Sequence, residues 1–193
     1  MSTAAENNTS STESAELQTD RKSQANAKNP SHSPSGTPFV VKVRHHDSGG
    51  GAAQFRSNKG DNSVQESGHE ADALTLERAA AALHGYLDAG ARRDAKTACS
   101  YLSKTGKETP AAYLGERNPS AKKCVTDLTA LWAHVAPRNL AQAAEADVGS
   151  FRVQGPTKGL LLYHGADHLD FSMPMVYEAG QWKVGTLSAS ELP

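Results

Sequence analysis

Cys99 and Cys124 carry the strongest local chemistry in this chain of 193 residues. As a pair they can form a bridge, lie as buried thiols that never touch, or supply half of a metal site, which needs further ligands. The histidines offer less. His45-His46-Asp47 sets imidazoles and a carboxylate side by side, but in a polar tract where a preformed metal site is not expected. His164 and His168 flank a short turn and would face each other across a hairpin with Asp167 and Asp170 near, an arrangement that a solvated hairpin tip explains without any metal. Neither a metal site nor a cofactor is assigned from these residues. A Ser–His–Asp order, a zinc-protease pattern and a phosphate cradle are missing too, since Gly49-Gly50-Gly51 lacks the strand, the helix and the lysine that a cradle needs.

The elements that must position these groups divide the chain near Glu70. Before it, the only large apolar residues besides Met1 are Leu17, Phe39, Val40, Val41, Val43, Phe55 and Val64, spread among Ser, Asn, Gly, Lys and Glu. So little apolar surface does not offset the entropy of ordering, and residues 1–69 are expected to be a disordered polar tail or tether. Within that tract Phe39–Arg44 reads as linker rather than edge strand. Lysine and arginine total 20 against 21 aspartates and glutamates, so no basic footprint for nucleic acid or anionic lipid is present. Met1–Gln18 lacks a charged start followed by an apolar core, and no run is long enough to be a transmembrane segment. Taken alone, these features point to the cytoplasm.

From Glu70 the apolar period becomes helical. Leu76, Ala80, Leu83 and Leu87 form one stripe, with Gly90 as the stop. A second helix is expected from Asp94, a good cap, to about Ser103, and a third after Ser120, with Cys124, Leu128, Leu131 and Val135 facing inward and Pro137 ending it. The period then changes to two. Asp147–Gln154, Lys158–His164, Leu169–Glu178 and Gln181–Leu187 read as strands joined by short turns, hence antiparallel neighbours. Leu169, Phe171, Met173, Met175 and Tyr177 share one face of the third strand, and Pro174, which cannot donate, belongs at an edge or bulge. The expected class is α+β, with three N-terminal helices packed on a curved four-stranded antiparallel sheet, preceded by a disordered arm.

This order, closing on the hairpin Met175-Val176-Tyr177-Glu178-Ala179-Gly180-Gln181-Trp182-Lys183-Val184, resembles the nuclear transport factor 2-like superfamily of cystatin-like cones. That superfamily also serves polyketide cyclases and ketosteroid isomerase relatives. More narrowly, Tyr86–Ala89, Asp94–Leu102 and Lys123-Cys124 are similar to uncharacterised exported or lipid-anchored actinobacterial proteins. The resemblance covers residues 70–188. It implies that Cys99 and Cys124 tie the second helix to the third, and such a bridge in a small core would contribute roughly 3 kcal/mol. An oxidising, extracytoplasmic compartment follows from a bridge, and the cytoplasm from free thiols.

The resemblance also directs attention to the inside of the cone, where related enzymes place a buried acid or base. His84, Asp88 and Tyr86 on the first helix are candidates, with Tyr101, Tyr113 or Tyr163 as donors to an oxyanion. The stripe of that helix points elsewhere, so His84 and Asp88 read better as a solvent-facing edge and no catalytic residue is assigned. Trp132, Phe171, Met173, Met175 and Trp182 would line a concave apolar pocket, although a core this small is expected to be filled by them. The reading that results is a non-catalytic exported or cell-envelope domain binding a small apolar ligand or a protein partner. The alternative is a small cyclase-like or isomerase-like enzyme with a buried acid/base. Nothing in the sequence sets the oligomeric state.

Overall fold

The computed structural model describes residues 45–117 and 119–193, so the expectations for residues 1–44, Phe39–Arg44 included, lie outside the described residues. The chain is α+β: α1 (Ser63–Glu66), α2 (Ala73–Ala91), α3 (Ala95–Tyr101), α4 (Lys104–Tyr113), α5 (Cys124–Ala133) and α6 (Pro137–Ala143) accompany β1 (His69–Glu70), β2 (Asp147–Val153), β3 (Lys158–His164), β4 (Asp170–Glu178), β5 (Gln181–Val184) and β6 (Ser190–Glu191). The expected counts of three helices and four strands are therefore corrected to six and six among the described residues.

The expected helices form, α3 with its expected cap, whereas Ser120 caps the 3-10 turn Ala121–Lys123 ahead of α5 and not α5 itself. Asp72 caps α2 by accepting from Thr75 N at 2.8 Å, and Asp94 caps α3 by accepting from Thr97 N at 3.0 Å. In α2, Ala80, Leu83 and Leu87 are buried as the stripe requires, and Ala79, Ala82 and Ala89 are buried beside them. That alanine-rich face lets neighbouring elements approach closely. Gly90 is not the stop. It lies within α2 under Trp132, and the chain leaves the helix through Arg93, at φ 55, with Asp94 N donating to Ala89 O at 2.8 Å.

Of the unforeseen helices, α4 contradicts local propensity and α6 does not. α4 contains Gly106 and Pro110, which read as a loop, yet Ser103 caps it by accepting from Gly106 N at 3.0 Å and Pro110 is buried. A Cβ on Gly106 would lie 2.8 Å from Val184 O, so glycine is what allows α4 to rest on β5. Pro137 opens α6 instead of merely ending α5, because its missing N–H is no loss in a first helical turn.

All strand pairs are antiparallel, in the order β1-β2-β3-β4-β5, with β6 also on β4. β2 to β5 are the expected meander. β1 and β6 are additions of two residues each, too short for a period-two signal. Pro174 lies inside β4, bonded on one side to β3. On the other side Gly185 N donates to Pro174 O at 2.7 Å, and the missing donor falls between β5 and β6, where no partner demands it.

One face of the sheet packs on the helices through Val148, Phe151, Leu161, Met173, Met175, Trp182 and Val184. The opposite face buries Leu162 beneath Ala52, Phe55 and Leu192. The cover comes from a segment expected to be disordered. Residues 45–69 pack on the domain, with Phe55 only 2 % exposed and Gln65 Nε2 donating to Phe55 O at 2.7 Å. The arm drawn to residue 69 therefore overreaches: its sparse apolar residues are placed where the sheet needs a lid.

Cys99 in α3 and Cys124 at the start of α5 are bridged, with Cα atoms 6.2 Å apart and both residues buried. No helix among the described residues is long and apolar enough to cross a membrane.

Candidate functional site

A cavity of about 370 Å³ opens between the helices and the sheet. Its walls come from Leu87 of α2, Asn139, Gln142 and Ala143 of α6, the β3–β4 turn at Gly165, Ala166 and Asp167, and Tyr163, Phe171 and Met173 of the sheet. The chain after β5 closes it with Leu187, Ser188 and Ala189. Each wall has a local cause. Period-two alternation turns Phe171 and Met173 inward, Tyr86 Oη donates to Leu187 O at 2.9 Å and so holds the closing segment, and Gly165 lets the turn fold over Phe171, since a Cβ there would lie 2.7 Å from its ring.

The polar groups are few. The Tyr163 ring stacks on Phe171 with centroids 5.5 Å apart. Burial pushes the Tyr163 hydroxyl up to about 12, helped by the charge of Asp167, so at neutral pH it is a proton-bearing donor and not a base. Burial, and then Tyr163, raise the neighbouring Tyr86 as well. Asp167 is exposed at the rim and its Oδ1 accepts from Leu169 N at 3.3 Å. Among the described residues it is the only charged side chain in the lining.

The residues expected to line a single pocket divide among several places. Phe171 and Met173 line this cavity. Trp132 lines a neighbouring hollow of about 270 Å³ with Tyr86, Tyr113, Leu128 and Leu140, and the two hollows share Leu187 and Ser188. Trp182 borders a third, of about 360 Å³, with Arg78, Tyr101 and Tyr177. Met175 is 1 % exposed and fills the core. The expectation of a filled interior thus fits Met175 but not the space around Phe171. The contribution of α6 was not legible, because that helix was not.

His84 and Asp88 are not in this cavity. His84 is 6 % exposed, which overturns its reading as a solvent-facing edge. Its Nε2 donates to Asp47 Oδ1 at 2.8 Å, and His45 Nε2 donates to Asp88 Oδ1 at 3.1 Å. The two rings stack at 3.7 Å. Two stretches far apart in sequence, His45–Asp47 and His84–Asp88, are one cluster that fastens the covering segment to α2. Asp47 also accepts from Val148 N at 3.1 Å. Among the described residues no group of three or more histidines, cysteines or carboxylates is arranged to hold a metal ion.

The hairpin histidines separate. His164 Nδ1 donates to Asp170 Oδ1 at 2.6 Å and its ring stacks on Phe55 at 4.5 Å, whereas His168 sits exposed on the turn with φ 62. The stack on Phe55 holds the lid on the back of the sheet, the bond to Asp170 ties β3 to β4, and no facing histidine pair results.

Comparison with protein families, with curated proteins and with solved structures returns no match.

Proposed function

We propose that this domain is a non-catalytic carrier that binds a small, largely apolar ligand in the cavity between α2, α6 and the sheet. The observation that carries this reading is a space of about 370 Å³ with Leu87, Phe171, Met173 and Leu187 in its walls, in the size range of small-ligand sites and without His84 or Asp88. The isomerase-like alternative needs a titratable group buried at the base of the cavity. Tyr163 keeps its proton near neutrality, and Asp167 stands at the wet rim, where a carboxylate is a poor choice for desolvated proton abstraction.

The helices followed by an antiparallel meander support membership of the nuclear transport factor 2-like cones, read as a shape and not as an activity. The Cys99–Cys124 bridge supports an oxidising location, exported or in the cell envelope, since such bridges are rare in reducing compartments.

Nile red, a neutral dye that brightens in apolar surroundings, tests the carrier reading. Its fluorescence is expected to rise on addition of the protein and to stay low with Ala143→Trp, which fills the cavity from an exposed position on α6. Equal brightening by both proteins would overturn the assignment of the site.

A further inference from the structure

Three features of the cavity combine into a selectivity. Its floor and walls are apolar at Leu87, Phe171 and Met173. Its lining contains no lysine, arginine or histidine among the described residues. The single charge among its described lining residues, Asp167, lies at the rim, and Asn139, Gln142 and Ser188 add neutral hydrogen-bonding groups. An apolar chain satisfies the interior, and its polar end must then lie near a carboxylate with no basic side chain among the described lining residues to offset it.

From this arrangement we infer that the cavity selects amphiphiles with an ammonium head and rejects those with a carboxylate head. This rests on the carrier reading above and adds the ligand class. A protonated amine gains attraction from Asp167 and has acceptors within the polar rim, whereas a carboxylate meets like charge and no cationic partner. A hydroxyl head falls between, because it meets neither attraction nor repulsion. Asp167 suits this role in conformation as well as in charge: Leu169 N donates to its Oδ1 at 3.3 Å, which restrains the carboxylate in the turn. The same charge is felt inside the cavity, where it contributes to the raised Tyr163 hydroxyl.

Calorimetric titration of the full chain with n-octanol, n-octylamine and n-octanoate at neutral pH separates the two levels of the argument. Octanol binding tests the cavity alone. Octylamine is expected to bind about tenfold more tightly than octanoate, the scale of one partly screened charge contact. In Asp167→Asn, whose amide oxygen can still accept from Leu169 N, that ratio should fall to near one, with an unchanged circular dichroism spectrum showing that the fold persists. Octanol binding with octanoate equal to or tighter than octylamine overturns the head-group inference and leaves the carrier reading standing. An undiminished ratio in Asp167→Asn also overturns it. Failure of all three ligands to bind overturns the carrier reading, and the inference with it.

Discussion

His84 and Asp47, far apart in sequence, meet at 2.8 Å, and the His84 ring is covered by His45 at 3.7 Å. This contact makes residues 45–69 part of the domain. His84→Ala removes both the bond to Asp47 and the stack. The expected result is faster tryptic cleavage after Arg56 and Lys59, with a global loss of about 1–2 kcal/mol in urea unfolding. Unchanged cleavage would show that Phe55 and Gln65 hold the segment without help.

The same contact makes the covering segment sensitive to acid. Burial pushes the Asp47 carboxyl up, but the hydrogen bond from His84, the charge of His84, the Val148 N–H and the charge of His45 together outweigh it and hold the carboxyl below its ordinary value of 3.8. A group whose folded value is depressed adds stability above its unfolded value and loses it as the pH falls through the folded one. Proteolytic protection of residues 45–69 should therefore persist from neutrality to about pH 4 and decline below it. In Asp47→Asn the step attributable to this carboxyl should be absent; an identical acid profile in the variant would refute its role.

Helices α2, α3 and α5 and the β2–β5 meander were legible because each is driven by local signals. Asp94 is an N-cap, Leu83 and Leu87 keep the helical period, and Phe171, Met173 and Met175 keep the strand period. α4 was not, since Gly106 and Pro110 speak against a helix and packing under β5, with the Ser103 cap, outweighs them. α6 was hidden by Pro137, which is equally a stop for one helix and the first residue of the next. The covering segment was hidden because Ala52, Phe55 and Val64 show no periodicity and are justified by residues distant in sequence, Leu160, Leu162 and Leu192. The site followed the same rule: its sheet wall was visible in Phe171 and Met173, whereas its walls from α6 and from Leu187–Ala189 depend on tertiary placement.

Gly149 tests the lid from the opposite side. It interrupts the β2–β3 register between Val148 and Ser150, and a Cβ built on it would lie 2.8 Å from the Phe55 ring and closer still to Gln54. Gly149→Val must displace the turn at Ala52–Phe55, at an expected cost of about 1–3 kcal/mol in urea unfolding. The loss should shrink when Phe55→Ala is added, because the two substitutions then share one clash. Simple additivity would mean that the strain is relieved elsewhere.

The bridge between Cys99 and Cys124 spans a sequence separation of 25 and encloses α4, the element with the weakest local preference for its own structure. Its main physical effect is to limit the open chain, and closing a loop of this size is worth about 3 kcal/mol by the chain-entropy relation. Cys99→Ser with Cys124→Ser should lower the urea midpoint by a corresponding amount. Because α4 lies inside the loop and rests on β5 through Gly106, its amides should lose exchange protection before those of β3 and β4. A midpoint loss with protection declining evenly across the sheet and α4 would mean that the bridge stabilises the domain as a whole and does not hold this helix in place.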